Sequence, residues 1–273
     1  MPNRAEIENW NGPIGERWAT YQQKLDAHIR VYGEHVLASA GLRDGMRVLD
    51  VGCGCGAMTL DAARAVGDAG RVVGVDVSRP MLARARERAS GFPNVELVEH
   101  DAATFDADAP FDAVISRFGV MFFDDPAAAF TNIRRAMKPG GKVTYVCWQS
   151  LADNPWAALP LAAVSGVLTV PPVTTPNAPG PFAFADPARL RDIMTRAGFQ
   201  DVVLTPFTDL LRLGTSFDDA LEYVSRMGPS ARLLREADDE TRARAVVALR
   251  EVVAPLAPSF ALGAAVWIVT ATG

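Results

Sequence analysis

The first half of the chain alternates short apolar runs with stretches of helical spacing. Apolar runs occupy 46–51 (MRVLDV), 71–77 (RVVGVDV), 95–99 (VELVE), 111–116 (FDAVIS) and 142–148 (KVTYVCW). Runs of this length, largely apolar rather than strictly alternating, are what strands buried on both faces require. Between them, 57–66 carries helical spacing and Pro80 opens a second helix (MLARARERA). Pro126 opens a third, which reaches Met137 before Lys138-Pro139-Gly140-Gly141 stops it. Proline suits a first helical turn, where the backbone N–H has no intrahelical partner. Repeated strand–helix units predict an α/β fold, a parallel sheet with helices on both faces.

The pattern changes after Trp148. Residues 154–168 read as an apolar helix, and the Pro-rich 171–184 (PPVTTPNAPGPFAF) as irregular chain. Asp186 is placed to cap a helix that has Pro187 at its first position and ends at Ala197-Gly198. Residues 201–213 alternate like a strand, 217–227 and 238–253 read as helices, and 264–270 (AAVWIVT) as a last strand. At the other end, Trp18, Tyr21, Leu25, Ile29, Tyr32 and Val36 recur at spacings of three and four, the apolar face of one helix. That face either packs on the domain or closes over a ligand. The chain thus divides into an N-terminal helical lid segment, 1–44, and a ligand-binding domain, 45–273. A substrate cap is inserted at about 150–185, with additional helices at about 215–255.

The densest chemical signal is Val48-Leu49-Asp50-Val51-Gly52-Cys53-Gly54-Cys55-Gly56. A strand ends and turns through three alternating glycines into a helix. Glycine lets the backbone approach a ligand and reach positive φ, and the helix start offers unpaired N–H groups to an anion. Dinucleotide folds space these glycines as G-x-G-x-x-G; here the third arrives one residue early and Asp50 precedes the turn. A carboxylate there repels a diphosphate but attracts an α-amino group or a sulfonium, which favours S-adenosylmethionine over a nicotinamide cofactor. Asp76 closes the second run, where its carboxylate can accept from both ribose hydroxyls. After the third run, Asp101 can accept from an adenine amine and the Ala102 N–H can donate to the ring. After the fourth, Ser116-Arg117-Phe118-Gly119-Val120-Met121-Phe122-Phe123 lies where ligands of open α/β sheets bind, beyond the carboxyl ends of the strands. There Phe118, Met121 and Phe122 offer an apolar wall near the reacting group, or pack in the core.

Taken together, VLDVGCGCG, VVGVDVS, HDA, FDAVISRFGVMFF and MKPGGK resemble the class I S-adenosylmethionine-dependent methyltransferases, in the ubiquinone/menaquinone-biosynthesis (type 11) branch. The resemblance covers about 45–148. It implies a Rossmann-like seven-stranded sheet of order 3-2-1-4-5-7-6 with the last strand antiparallel. It also implies methyl transfer from S-adenosylmethionine to a small molecule, leaving S-adenosylhomocysteine. Gly52, Gly54 and Gly56 match the family's glycine loop, Asp76 its ribose acid, Asp101 its adenine-side acid and Asp50 the acid before the loop. Cys53, Val77, Ala102, Ser116, Arg117 and Phe118 flank these positions, and with Trp18 and Tyr21 complete the candidate cofactor contacts. Phe118, Met121, Phe122, Trp148 and Trp156 are the candidate acceptor contacts. Cys55 stands where the family often has Thr or Ser. No NPPY-type tetrapeptide follows the fourth strand, which argues against amide or adenine N-methylation.

Methyl transfer is an in-line displacement in which positioning does most of the work. His28, His35 and His100 are the candidate bases, with His28 and His100 foremost, yet none has a companion that singles it out. Trp10, Trp18, Tyr21 and Phe118 are candidates to hold a sulfonium by cation–π contact. Deleting the N-terminal segment through about Tyr32 is expected to weaken cofactor binding or abolish turnover. Two other readings remain: a protein that binds S-adenosylmethionine without methyltransferase activity or uses it for other chemistry, and an NAD(P)-dependent oxidoreductase.

Composition narrows the partners. With 273 residues the chain buries a full core without staples, and its net charge of −5 offers nothing to a nucleic acid. Cys53, Cys55 and Cys147 are too few for a disulfide framework or a zinc site, and they suit a reducing cytoplasm. The polar N-terminus has no signal-peptide pattern, and no apolar run is long enough to span a membrane. The apolar cap suggests a lipophilic or aromatic acceptor. Monomer and homodimer are both compatible with the sequence.

Overall fold

Seven strands form one sheet in the order β3-β2-β1-β4-β5-β7-β6. They are β1 (Arg47–Val51), β2 (Arg71–Asp76), β3 (Val95–Glu99), β4 (Phe111–Arg117), β5 (Met137–Trp148), β6 (Gln200–Arg212) and β7 (Ala261–Thr272). The computed structural model describes residues 3–168 and 178–273. β1 lies at the centre, with Leu49 beside Val73 of β2 and Val114 of β4. The pairings from β3 through β5 are all parallel. Val48, Leu49, Val72, Val114 and Ile115 are buried, which is why these strands read as apolar runs. β7 runs against β5, and its end is tied there: the Gly140 N–H donates to the Gly273 carbonyl and the Gly273 N–H to Gly141. The chain order reverses between β1 and β4, and the crevice where such sheets bind ligands opens at that point.

The described residues fall into two compact units. The first comprises 3–148, 178–206 and 267–273. It holds α1 (Arg4–Trp10), α2 (Pro13–Thr20), α3 (Gln22–Ala40), α4 (Ala57–Val66), α5 (Arg79–Arg88), α6 (Pro126–Arg135) and, later in the chain, α8 (Pro187–Arg196). α3 packs on β4 and β5, with Leu25, Ile29, Tyr32 and Val36 buried. The second unit comprises 149–168 and 207–266, with α7 (Pro155–Ser165), α9 (Phe217–Arg226), α10 (Gly228–Glu236) and α11 (Asp239–Val253). α7 and α9 each pack against both α10 and α11. The buried Asn154 side chain accepts from the Ala265 N–H at 2.9 Å and the Trp156 indole at 3.0 Å. No described helix is long and apolar enough to cross a membrane.

The structure departs from the sequence pattern in four places. The N-terminal face is carried by separate helices rather than one, broken at Gly12-Pro13 and again at Tyr21, so Trp18 lies on α2, Tyr21 at the second break and Leu25, Ile29, Tyr32 and Val36 on α3. The third predicted helix stops at Arg135, and β5 starts at Met137, which pairs with Phe111 of β4. The Pro-Gly-Gly that reads as a break is a bulge in that ladder, whose register jumps from Phe111–Met137 to Ala113–Lys142 while Gly140 takes φ +74° and bonds to the C-terminus. α10 was not foreseen: Gly228-Pro229 resembles a stop after Met227 but supplies the proline of a new first turn. Finally, the division of the chain differs. Residues 149–168 of the expected cap join the helices at 215–255 in one unit, and 178–206 belong to the other. Of the Pro-rich stretch, 178–184 form bends and turns, and 171–177 lie outside the described residues.

Candidate functional site

The turn after β1 is built so that only glycine fits. Gly52 has φ +67°, and a Cβ on it would stand 2.7 Å from the Cα of Gly119, in the turn after β4. Gly54 has φ +56°, and Gly56 (φ +80°) caps α4. The N–H groups of Gly52 and Cys53 both donate to the Val75 carbonyl, at 2.9 and 3.2 Å, which pins the turn against β2. Ser116 ties it to β4: its hydroxyl donates to the Val51 carbonyl at 2.7 Å and accepts from the Gly119 N–H at 3.3 Å.

Two acids frame this turn. Asp76 accepts from the Gly54 N–H at 2.7 Å through Oδ2 and from the Ser78 N–H at 2.8 Å through Oδ1. Burial raises its carboxyl above the ordinary range, and these N–H groups oppose the rise. The two Asp76 oxygens offer about four acceptor sites, so capacity remains beyond the backbone donors Ser78, Gly54 and Val77. Asp50 is buried and accepts from the Thr59 hydroxyl at 2.7 Å. Loss of solvent pushes its carboxyl up to about 6, against the opposing effects of Thr59 and the Arg117 charge. A buried carboxylate whose donors all come from Thr59, its hydroxyl and its N–H, is an attractive seat for a cation.

A cavity opens beside these acids. Its walls are Asp50, Gly52, Cys53, Gly54 and Cys55 from the turn, Met58 of α4, Met81 of α5 and Arg117 and Phe118 from the end of β4. The N-terminal helices close it with Trp18, Gln22, Leu25, Asp26 and Ile29. Phe118 adopts φ +64°, a region a bulky side chain avoids at a cost of about 1–3 kcal/mol. Packing holds it there. Its ring stacks on Trp148 at 4.3 Å and 11°, Tyr32 stands edge-on to both, and its N–H donates to Val146.

Comparison with known proteins agrees with this geometry. Residues 48–141 match the family described as "Methyltransferase domain". The matched stretch takes in the glycine turn, Asp50, Asp76, Asp101 and Arg117. Over 122 residues it is 38% identical to a demethylmenaquinone methyltransferase of Staphylococcus aureus, covering 44% of this chain and 50% of that one. The chain therefore spans about half the length of the curated relatives it matches. The fold is shared with the YcgJ protein of Bacillus subtilis, with a TM-score of 0.59 and 17% identity over 89% of this chain and 98% of that one. It is shared too with phosphoethanolamine N-methyltransferase 2 of Haemonchus contortus, with a TM-score of 0.53 and 21% identity over 88% of this chain and 51% of that one. The order 3-2-1-4-5-7-6 and the reversed last strand are as the resemblance implied.

The candidate residues divide. Trp18, Asp50, Gly52, Cys53, Gly54, Arg117 and Phe118 share the cavity wall. Gly56, Asp76 and Ser116 shape the turns around it without lining it. Val77 gives its carbonyl to the Asn11 side chain at 2.8 Å, and Ala102 is buried. Asp101 accepts the Asn3 amide on both oxygens at 2.9 Å, so α1 starts on the expected adenine-side acid. Tyr21 sits at the break between α2 and α3, off the cavity. Trp10 stands edge-on to Trp18 at 5.9 Å and to Phe122 at 5.2 Å. Met121 is core, and Trp148 meets the cavity only through its stack on Phe118. Trp156 lies in the second unit, buried against Asn154. His28, His35 and His100 do not line the cavity; His100 is exposed, with its ring 2.9 Å from the Asp101 carbonyl. Among the described residues, no group of three His, Cys, Asp or Glu could hold a metal.

Sequence reasoning missed Gln22, Asp26, Met58 and Met81, and left Leu25 and Ile29 between packing on the domain and closing over a ligand. One signal was present: Gln22, Asp26, Ile29 and Gly33 follow at helical spacing, placing an acid and a glycine beside the apolar stripe.

Proposed function

We propose that the chain binds S-adenosylmethionine at the turn between β1 and α4 and transfers its methyl group to a small acceptor, releasing S-adenosylhomocysteine. The observation that carries this reading is the glycine turn clasped by Asp76 and set against the buried Asp50. The residues present fit the cofactor. A Cβ at Gly52 would close the turn, Asp50 is a buried acid whose donors all come from Thr59, and Asp76 has accepting capacity left for ribose hydroxyls. Asp101 is the acid for the adenine side. Bound there, S-adenosylmethionine supplies a methyl group on a positively charged sulfur, which departs as a neutral thioether.

The chain's own task is then to hold, orient and keep dry. With all three histidines off the cavity, positioning rather than a histidine base carries the rate; alignment of reactants is worth up to about 7–11 kcal/mol. Trp18 and Phe118 bring aromatic faces to the cavity, suited to a cationic sulfur at about 0.5–2 kcal/mol. For the acceptor, the Phe118–Trp148 stack and the name of the Staphylococcus relatives favour a planar lipophilic ring of the quinol class. Three buried free thiols suit a reducing cytoplasm.

Calorimetric titration with S-adenosylhomocysteine tests the reading. The wild-type chain binds it and does not bind NADH. Asp76→Ala, checked for folding by circular dichroism, loses about one to two decades of affinity, the worth of hydrogen bonds to a charged group. Wild-type affinity in that variant removes Asp76 from the site. Binding without product from any acceptor would mean a cofactor-binding protein instead of a transferase.

A further inference from the structure

We propose that Arg117 anchors the carboxylate of the cofactor's amino-acid tail and that Asp26 positions it, an assignment that rests on the S-adenosylmethionine reading above. Arg117 ends β4, lines the cavity and is only 15% exposed. It carries five N–H donors, yet among the described residues it makes one hydrogen bond, from Nη2 to Asp26 Oδ1 at 2.9 Å. The other Asp26 oxygen is already shared. It accepts from Gln22 Nε2 at 2.5 Å and pairs with Arg88 Nη1 at 3.0 Å. One carboxylate therefore faces two guanidinium groups. Arg88 also donates to the Cys55 carbonyl at 2.6 Å, which leaves Arg117 as the one with donors to spare at the cavity wall.

A guanidinium with unused donors, partly removed from water, calls for an anion that can use two of them. Asp50, on the same cavity wall, is close enough to feel the Arg117 charge. Arg117 and Asp50 share one small chamber, with Asp26 already tied to Arg117, and this pair matches an α-amino acid zwitterion, with its carboxylate to Arg117 and its ammonium to Asp50. A diphosphate would meet the same buried acid and be repelled. The arrangement is built rather than incidental. A Cβ on Gly33 of α3 would lie 3.3 Å from Arg117 Cδ and 3.6 Å from Nη1, so that glycine makes room for the arginine. α3 supplies both the room and the positioning acid.

The test compares two nucleosides on the full chain by calorimetry: S-adenosylhomocysteine, and 5′-methylthioadenosine, which lacks the amino-acid tail. Arg117→Gln should weaken S-adenosylhomocysteine about 10- to 100-fold and leave methylthioadenosine within about twofold. Arg117→Lys keeps the charge without the fork and should fall between. Asp26→Asn should cost S-adenosylhomocysteine about three- to tenfold, again with methylthioadenosine unmoved, because it loosens the anchor without removing it. Equal losses for both ligands would make Arg117 a structural ion pair and overturn the proposal, as would no loss for either. Wild-type protein that binds S-adenosylhomocysteine, beside an Arg117→Gln variant that binds it equally well, removes this assignment alone. Wild-type protein that binds neither nucleoside removes the cofactor reading and this assignment with it.

Discussion

Burial moves the Asp50 carboxyl from 3.8 to about 6, and that displacement sets a sign for both stability and binding. Between these values the unfolded chain has released a proton that the folded chain keeps. Stability from this group is therefore full below about 3.8 and is lost as pH rises through about 6. A ligand ammonium reverses the preference, because it favours the ionised acid. Affinity for S-adenosylhomocysteine should be level above pH about 6 and fall by up to about tenfold per unit below it. Titrations from about pH 5 to 8 measure this. Asp50→Asn should flatten the profile, and a wild-type profile already flat through 6 would show that Asp50 exchanges no proton for the ligand. Asp50, Gly52, Gly54 and Asp76 were legible in the sequence because their chemistry is packed into two strand ends. Asp26 and Arg117 were not legible as a pair: they lie 91 residues apart, and only the packing of α3 on β4 brings them together.

At the scale of elements, the N-terminal segment shows what periodicity can and cannot tell. A stripe at spacings of three and four identified the buried face of α3 but not the breaks that separate α1 and α2 from it. Those breaks decide what a truncation does. Removing everything before Gln22 takes away Trp18 from the cavity and Asn3 from Asp101, yet leaves Leu25, Ile29, Tyr32 and Val36 in the core. We expect that chain to fold with a nearly unchanged melting temperature and to bind S-adenosylhomocysteine about tenfold more weakly, the size of one lost polar or aromatic contact. Removal through Tyr32 is a different experiment. It strips three buried side chains from beneath β4 and β5, at about 2–5 kcal/mol each, and should unfold the domain. Circular dichroism melts and calorimetry separate the two cases. Full affinity in the shorter deletion would show that α1 and α2 are not a lid.

At the scale of the molecule, legibility follows burial. β1 to β5 are recognisable because a parallel sheet covered on both faces needs continuous apolar runs. β6 is mostly exposed, so its alternating pattern carried the prediction instead. The grouping of α7 with α9, α10 and α11 was beyond reach, since it depends on which helices share a core and not on any one helix. The consequence is testable, because every residue lining the cavity lies in the first unit. At a ligand concentration about 100 times Kd, S-adenosylhomocysteine should stabilise that unit by about 2.7 kcal/mol. For a chain of this size that corresponds to a melting shift of roughly 5–10 °C, and NADH should give none. Hydrogen exchange locates the effect. Amides at 22–29, 52–59 and 117–119 should gain protection on adding the ligand, while those of α9, α10 and α11 should keep their rates. Protection rising equally in α9, α10 and α11 would overturn the assignment of the ligand to the first unit alone, because no cavity-lining residue belongs to those helices.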